Sequence, residues 1–316
     1  MSTGSKRSIY AAMAANMAIG VAKFIGAGIS GSSAMLSEGI HSVVDSVNEI
    51  LLLYGLQQGE KAPDEEHPLG YSAEIYFWSL VVAVLIFALG GGISIYEGVD
   101  VFLNPVEPSS NELLTYSILG VAALFEGAAL FISIREFNKS RVQTDIKFWQ
   151  ALRRSKDPST FVVIFEDTAA LLGITVAALG VFLSHWTGRV FYDGLASIII
   201  GIILTVVAII LVTETKGLLL GESAFPEVRE SIKRIVTSDE AVTQMEAPIT
   251  LHLGPSDILL ALNIEFKDDL SSDQIEAAIR RIESAIRDDH DEVQRIFIEA
   301  RSITLESNSE IQKITE

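Results

Sequence analysis

Long apolar stretches alternate with short polar connections over the first two-thirds of the chain. A helix needs about 20 consecutive, mostly apolar residues to cross a bilayer. Six stretches reach or approach that length, and they cover residues 9–30, 33–57, 73–103, 113–134, 160–183 and 191–213. The pattern therefore predicts an α-helical membrane protein with a six-helix transmembrane bundle over residues 1–221. An even number of spans places both termini on the same side of the membrane.

The pattern changes after Gly221, where shorter amphipathic and alternating segments replace the long apolar ones. Apolar residues at helical spacing predict helices over 226–240 and 271–289, and alternating or apolar runs predict strands over 242–253, 258–266 and 293–303. This α-β-β-α-β order predicts a small ferredoxin-like α+β domain with a three-stranded sheet over residues 222–304. Residues 305–316 are predicted to form a loose tail.

The basic residues indicate which side of the membrane holds the termini. Several of them lie between the fourth and fifth predicted spans, among them Lys139, Arg141, Lys147, Arg153, Arg154 and Lys156. The connections after the first and third spans contain no Lys or Arg. Because basic residues concentrate on the cytoplasmic side, both termini and the α+β domain are predicted to be cytoplasmic. We expect a multi-pass protein of the cytoplasmic membrane of a prokaryote.

The charge balance excludes some classes of partner. The net charge of the 316 residues is −18, and the segment from Glu222 to the end contributes 21 acidic and 10 basic residues to it. Nucleic acid is an unsuitable partner, because binding phosphates requires clustered Lys and Arg. The chain has no cysteine, which excludes disulfides and thiolate metal sites.

Charged residues inside the predicted spans need a partner, a cavity or a function. The second span contains Glu38, His41, Asp45 and Glu49, and the fifth contains Glu166 and Asp167. His41 and Asp45 are four residues apart, so their side chains share one helix face about 6 Å apart. Together with Asp167 they offer one imidazole and two carboxylates, which suit Zn²⁺ and also Co²⁺, Mn²⁺ or Fe²⁺. The alternative is that these residues form polar contacts between helices or a proton relay.

Several segments resemble one transporter family. Residues 31–55 resemble the second helix of the cation diffusion facilitator family, in which a His-or-Asp-x-x-x-Asp pair binds metal, and residues 67–105 resemble the stretch entering and running through its third helix. Asn16 and Lys23 also fit the family pattern in the first helix. A further resemblance is to the branch of the family that contains zinc transporter nine, and it is carried by residues 165–188, 192–201 and 214–224. The α-β-β-α-β segment resembles the family's cytoplasmic domain, so the resemblance covers nearly the whole chain.

The resemblance implies a transport site with two ligands from the second helix and two from the fifth. The second-helix pair corresponds to His41 and Asp45, and the later fifth-helix ligand corresponds to Asp167. The earlier fifth-helix position is Val163, whose side chain cannot bind metal. A fourth ligand is therefore expected from another residue or from water.

Further residues are candidates for completing this site or for coupling it to protons, namely Glu166, Glu126 in the fourth span and Glu38. The alternative role of Glu126 is that of a hydrogen-bonded packing residue. Many family members bind regulatory zinc in the cytoplasmic domain. His252 and His290 are the candidate ligands for such a site here.

These features predict a homodimeric transporter that exports Zn²⁺, or else Mn²⁺, Fe²⁺, Co²⁺ or Cd²⁺, against an inward flow of protons. Metal binding must displace protons from the ligands, so the two cations compete for one site. An intramembrane metalloenzyme would need a pattern such as His-Glu-x-x-His, which the sequence lacks. A membrane-anchored metal sensor or scaffold without transport is the remaining alternative.

Overall fold

A computed structural model describes residues 3–105, 112–140 and 147–303 of the chain. The chain divides into two units, Met1–Lys216 and Gly217–Glu316. The predicted tail over residues 305–316 lies outside the described residues.

The first unit is helical. Its helices are α1 (Thr3–Ser30), α2 (Ser33–Gly59), α3 (Glu74–Leu85), α4 (Gly92–Leu103), α5 (Glu112–Ser140), α6 (Phe148–Arg154), α7 (Pro158–Thr187) and α8 (Phe191–Leu220), the last of which continues to the second unit. A π-helical turn over Ile86–Gly91 joins α3 to α4, so the two form one continuous segment.

Four segments of the described residues are long and apolar enough to cross a membrane. They are Glu74–Leu103, Leu113–Lys139, Pro158–Thr187 and Phe191–Leu220. The described part of α1, Asn16–Ser30, is a shorter apolar helix. The four ionisable residues that the sequence places in α2 lower its average apolarity. The count of six spans therefore remains a prediction for α1 and α2.

Local sequence signals define several helix ends. Gly31 has a φ of 65°, which allows the short connection between α1 and α2. The Ser32 side chain then caps the N-terminus of α2. Asp157 caps α7 ahead of Pro158, and Gly188 ends α7 with a φ of 67°.

Glycines allow α4 and α8 to pack with their backbones in contact. A Cβ atom added at Gly98 would lie 2.6 Å from the backbone oxygen of Gly194. One added at Gly201 would lie 2.8 Å from the backbone oxygen of Gly91. A larger residue at these positions would force the two helices apart.

The second unit contains α9 (Pro226–Ser238), β1 (Val242–Met245), β2 (Ile249–Gly254), β3 (Asp257–Phe266), α10 (Ser272–Asp289) and β4 (Val293–Ala300). β4 pairs with β3 in parallel, whereas β1 and β2 pair with β3 antiparallel. β1 pairs with residues 264–266 and β2 with residues 257–261, so the two short strands follow one another along β3.

This order contains one strand more than the predicted α-β-β-α-β order. The single strand predicted over residues 242–253 was wrong, because it is interrupted at residues 246–248. Pro248 has no backbone N–H and so cannot donate to a neighbouring strand, which accounts for the break.

The core of the second unit lies between the two helices and the sheet. Buried apolar side chains come mainly from the inner faces of α9 and α10 and from β3, and they include Ile232, Val236, Ile258, Leu260, Leu262, Ile264, Ala278, Ile282 and Ile286. A capping box formed by Ser271 and Gln274 begins α10. This core is separate from the polar residues of the first unit.

Candidate metal site

His41 and Asp45 lie side by side on α2, as their spacing predicts. His41 Nδ1 is 3.2 Å from Asp45 Oδ1, and the side chain of His41 is only 1% exposed. Within the described residues, three atoms of this pair have no hydrogen-bond partner. They are both ring nitrogens of His41 and Oδ1 of Asp45. Buried polar atoms normally have such partners. The pair therefore presents an imidazole nitrogen and a carboxylate oxygen, which are both ligands of divalent metals.

Three further acidic residues predicted for the site lie on neighbouring helices, namely Glu166, Glu126 and Asp167. Glu166 and Asp167 lie on α7, and Glu126 lies on α5. A group of carboxylates in an apolar bundle favours cations and repels anions. The predicted acidic residues thus lie on α5 and α7, of which α7 packs against α2.

Glu166 is held by a neighbouring helix. Asn48 Nδ2 donates a hydrogen bond of 2.6 Å to Glu166 Oε1, and both side chains are buried. This contact joins α2 to α7 three residues beyond Asp45. One oxygen of Glu166 is thus already engaged in a contact between helices. For the charged residues of the spans, such polar contacts are the predicted alternative to metal binding.

Asp167 faces α5. Ser133 Oγ lies 3.3 Å from Asp167 Oδ2, to which it donates, and 3.0 Å from the backbone oxygen of Ala129. Among the residues that the structure describes, no three His, Asp or Glu side chains are close enough together to hold a metal ion. The structure thus brings His41 and Asp45 together but does not assemble Asp167 with them as a third ligand.

The remaining candidates on these helices differ in burial. Glu126 is 7% exposed on α5. Val163 is half-buried on α7. Its apolar side chain cannot bind a metal ion.

Two other contacts tie α1 to α2. Lys23 Nζ donates to Glu38 Oε2 at 3.0 Å and to Ser42 Oγ at 2.8 Å, and Lys23 and Glu38 are fully buried. Asn16 Nδ2 donates to Glu49 Oε1 at 2.9 Å. The sequence did not predict these pairings or the role of Asn48. The available signal was a lysine and an asparagine in the otherwise mostly apolar residues 9–29 of α1, since such residues need partners.

The loop between α2 and α3 is ordered by Asp64. Its Oδ1 accepts from the backbone N–H of His67 at 2.7 Å, and its Oδ2 accepts from the Tyr71 hydroxyl at 2.6 Å. The bond to Asp64 raises the pKa of Tyr71 to about 12, and the same bond lowers the pKa of Asp64. His67 is therefore part of a turn that these hydrogen bonds hold in place.

The two histidines of the second unit occupy different elements. His252 lies buried in β2, and its Nδ1 is 3.2 Å from the backbone oxygen of Gly254. His290 follows α10, with one ring nitrogen 3.3 Å from Asp289 Oδ2 and the other 3.5 Å from Glu292 Oε1. Their role as metal ligands stays a prediction.

Comparison with known proteins gives a family match over most of the chain. Residues 9–220 match the model of the cation efflux transmembrane domain. The mitochondrial proton-coupled zinc antiporter of Xenopus laevis is 35% identical over 237 residues, which are 75% of this chain and 42% of that protein. Metal tolerance protein C4 of Arabidopsis thaliana is 32% identical over 262 residues, which are 83% of this chain and 57% of that protein.

A bacterial relative matches over almost its whole length. The manganese efflux system protein MneP of Bacillus subtilis is 24% identical over 295 residues, which are 93% of this chain and 95% of that protein. By contrast, the chain spans about half the length of the zinc antiporter and metal tolerance relatives. The names of these relatives include both zinc and manganese as transported ions.

Proposed function

Because the chain belongs to the cation efflux family, we propose that it transports a divalent metal cation across a membrane, with Zn²⁺ as the main cargo and protons as the exchanged ion. The observation that carries this proposal is the buried His41–Asp45 pair, whose facing atoms are 3.2 Å apart without a hydrogen bond. A dication between them would satisfy both atoms at once.

The neighbouring carboxylates support a site that forms when helices move. Asp167 follows Glu166, which Asn48 ties to α2, but Asp167 itself is bonded to Ser133 on α5. A small approach of α7 toward α2 would exchange the Ser133 contact for a metal bond and would complete a three-ligand site. Water is the fourth ligand that we propose, because Val163 cannot serve and Glu166 is bonded to Asn48.

Proton exchange follows from the chemistry of these ligands. Metal binds the neutral imidazole and the ionised carboxylate, so every metal bond competes with a proton. If the site opens alternately to the two sides of the membrane, the proton gradient drives metal in the opposite direction. This is the antiport that is named for the Xenopus relative.

His41 supports zinc as the cargo. Imidazole nitrogen suits Zn²⁺, whereas Mn²⁺ prefers sites built from oxygen. The alternatives are Mn²⁺, Fe²⁺, Co²⁺ or Cd²⁺ as cargo, and manganese is the ion named for the Bacillus subtilis relative. We further propose a homodimer in the cytoplasmic membrane of a prokaryote, with six spans and with both termini and the second unit in the cytoplasm.

The test is metal flux in sealed vesicles that contain the purified protein. Zn²⁺, Mn²⁺, Fe²⁺, Co²⁺ and Cd²⁺ are compared side by side, with an imposed pH gradient and without one. Asp45→Ala and Asp167→Ala should abolish flux, because each removes a proposed ligand. Glu97→Ala is the matched control, since Glu97 is a half-buried carboxylate of α4 outside these contacts, and its flux should stay normal.

The outcomes separate the alternatives. Normal zinc flux in Asp45→Ala would reject the site. Binding of zinc without flux in the unaltered protein would instead favour a membrane-anchored sensor or scaffold. Metal flux that is the same with and without the pH gradient would reject proton coupling, but it would still support metal transport.

A further inference from the structure

Lys23 and Glu38 form an ion pair in the interior of the first unit. Both side chains are 0% exposed, and Lys23 Nζ also donates to Ser42 Oγ. Burying two charges is unfavourable even when they are paired, and an apolar pair of similar size is often at least as stable. Stability alone therefore gives no strong reason for a charged pair at this position.

Glu38 also lies against α7. A Cβ atom added at Gly173 would be 2.2 Å from Glu38 Oε1, so this oxygen lies over the backbone of Gly173. Within the described part of the chain, Oε1 accepts no hydrogen bond. The pair therefore fills the space where α1, α2 and α7 meet, and it keeps one carboxylate oxygen unused.

The contacts between α2 and α7 fix where the pair lies relative to the candidate metal site. Glu38 meets Gly173, whereas Asn48, farther along α2, meets Glu166, which precedes Gly173 on α7. The two helices are thus antiparallel. His41 and Asp45 lie between these two contacts along α2. Glu38 consequently separates the metal site from the membrane face at which α2 begins.

Lys23 also lies beside the site itself, since its Nζ donates at 2.8 Å to Ser42 Oγ, and Ser42 directly follows His41 on α2. A dication bound there would repel the ammonium group at short range through a medium of low dielectric constant. It would also attract the carboxylate of Glu38. Both forces act to separate the ion pair.

We propose that the Lys23–Glu38 pair is a gate between the metal site and the membrane face at which α2 begins, and that a dication at His41 and Asp45 opens it by displacing Lys23. Glu38 then offers its carboxylate to the departing metal. The opening step rests on the proposed function, whereas the closing contact rests on the geometry of α1, α2 and α7 alone.

The absence of cysteine from the sequence allows a direct test. Ala170 is 1% exposed on α7 and lies between Glu166 and Gly173, level with the metal site, and it is not a proposed ligand. A single Ala170→Cys reporter is labelled with a membrane-impermeant methanethiosulfonate. The reagent is added to oriented vesicles only at the face at which α2 begins.

Labelling should be slow in the reporter protein and at least about tenfold faster after Lys23→Met, because removing one partner of a buried pair strongly destabilises the closed arrangement. Lys23→Arg keeps the ion pair and should label slowly. Asn16→Ala is the matched control, since Asn16 also ties α1 to α2 but at Glu49, beyond the metal site. It should label as slowly as the reporter protein does.

The same reporter tests the opening step. Added Zn²⁺ should speed labelling in the reporter protein and should have no effect once Asp45→Ala is introduced. Fast labelling in Lys23→Met with no zinc effect in the reporter protein would overturn the opening step while supporting the gate, and zinc flux that is lost in Asp45→Ala would show that the proposed metal site still stands. Slow labelling in Lys23→Met, with zinc flux intact in the unaltered protein, would overturn the gate alone. If Lys23→Met is not recovered folded, Glu38→Gln removes the same ion pair and carries the same expectation.

Discussion

Replacing Gly173 by alanine should strain the contact between α7 and α2 at Glu38. The new Cβ atom would lie 2.2 Å from Glu38 Oε1, whereas real Cβ atoms essentially never approach another heavy atom more closely than 3.0 Å. Glu38 must therefore retreat by roughly 1 Å, since repulsion rises steeply inside van der Waals contact. Its other oxygen is bonded to Lys23 at 3.0 Å in a fully buried position, so the retreat disturbs the ion pair.

The size of the effect follows from two opposing contributions. Forcing extra volume into a packed interior costs about 1–3 kcal/mol. Exchanging glycine for alanine inside a helix returns about 0.5–1 kcal/mol. We expect a net destabilisation of about 1–2 kcal/mol, together with slower metal flux because the carboxylate of Glu38 is displaced.

Thermal unfolding of the purified protein in detergent measures the first effect, and vesicle flux measures the second. Gly120→Ala is the matched control, because an added Cβ there has nothing within 4 Å, and it should be neutral or slightly stabilising. In a Glu38→Asp background the carboxylate is withdrawn by one methylene group, so Gly173→Ala should cost close to nothing. An equal cost in both backgrounds would refute the reasoning, since the strain would then not come from Glu38.

Three other changes have expected outcomes. His41→Asp should shift preference from Zn²⁺ toward Mn²⁺ in competitive vesicle uptake, and an unchanged preference would remove His41 from the ligands. Val163→His should tighten zinc binding measured by calorimetry if water completes the native site, and unchanged affinity would contradict that arrangement. Gly98→Ala should lower thermal stability by about 1–3 kcal/mol, because the added Cβ meets the backbone of α8 at 2.6 Å, and a stability equal to that of Gly120→Ala would contradict this packing.

Local sequence signals predict where helices end better than they predict where a helix or strand is interrupted. Gly31 and Asp157 are residue types that favour helix ends, and both define helix boundaries in the structure. The break at Pro248 was also visible, because a proline cannot donate within a strand. The π-helical turn over Ile86–Gly91 ends within a run of three glycines, which indicates an irregular helix but not a π-helical one. Gly91 there faces the backbone of α8, and such packing is a tertiary property that propensity does not contain.

In the candidate site, too, sequence could predict contacts within one helix but not contacts between helices. His41 and Asp45 could be placed together because helical spacing alone brings them to one face. The pairing of Lys23 with Glu38 could not be derived, because it depends on how α1 and α2 are rotated and shifted against each other. Asp167 was predicted from family position, but its bond to Ser133 depends on the packing of α5 against α7.

The polar residues of α2 have a common consequence for how a transporter of this design can move. Glu38 contacts α1 and α7, Asn48 contacts α7, and Glu49 contacts α1, while His41 and Asp45 lie between these contacts. An apolar interface would tolerate sliding, because dispersion contacts are non-directional and are readily replaced. Hydrogen-bonded and charged contacts are directional, so they favour a few discrete arrangements of the helices. Under the proposed function, alternating access would require α2 to exchange these polar partners together, and a dication bound by His41 and Asp45 would act at the centre of that set. The ionisable residues that make α2 less apolar than a typical span are, on this argument, the same residues that couple its movement to its cargo.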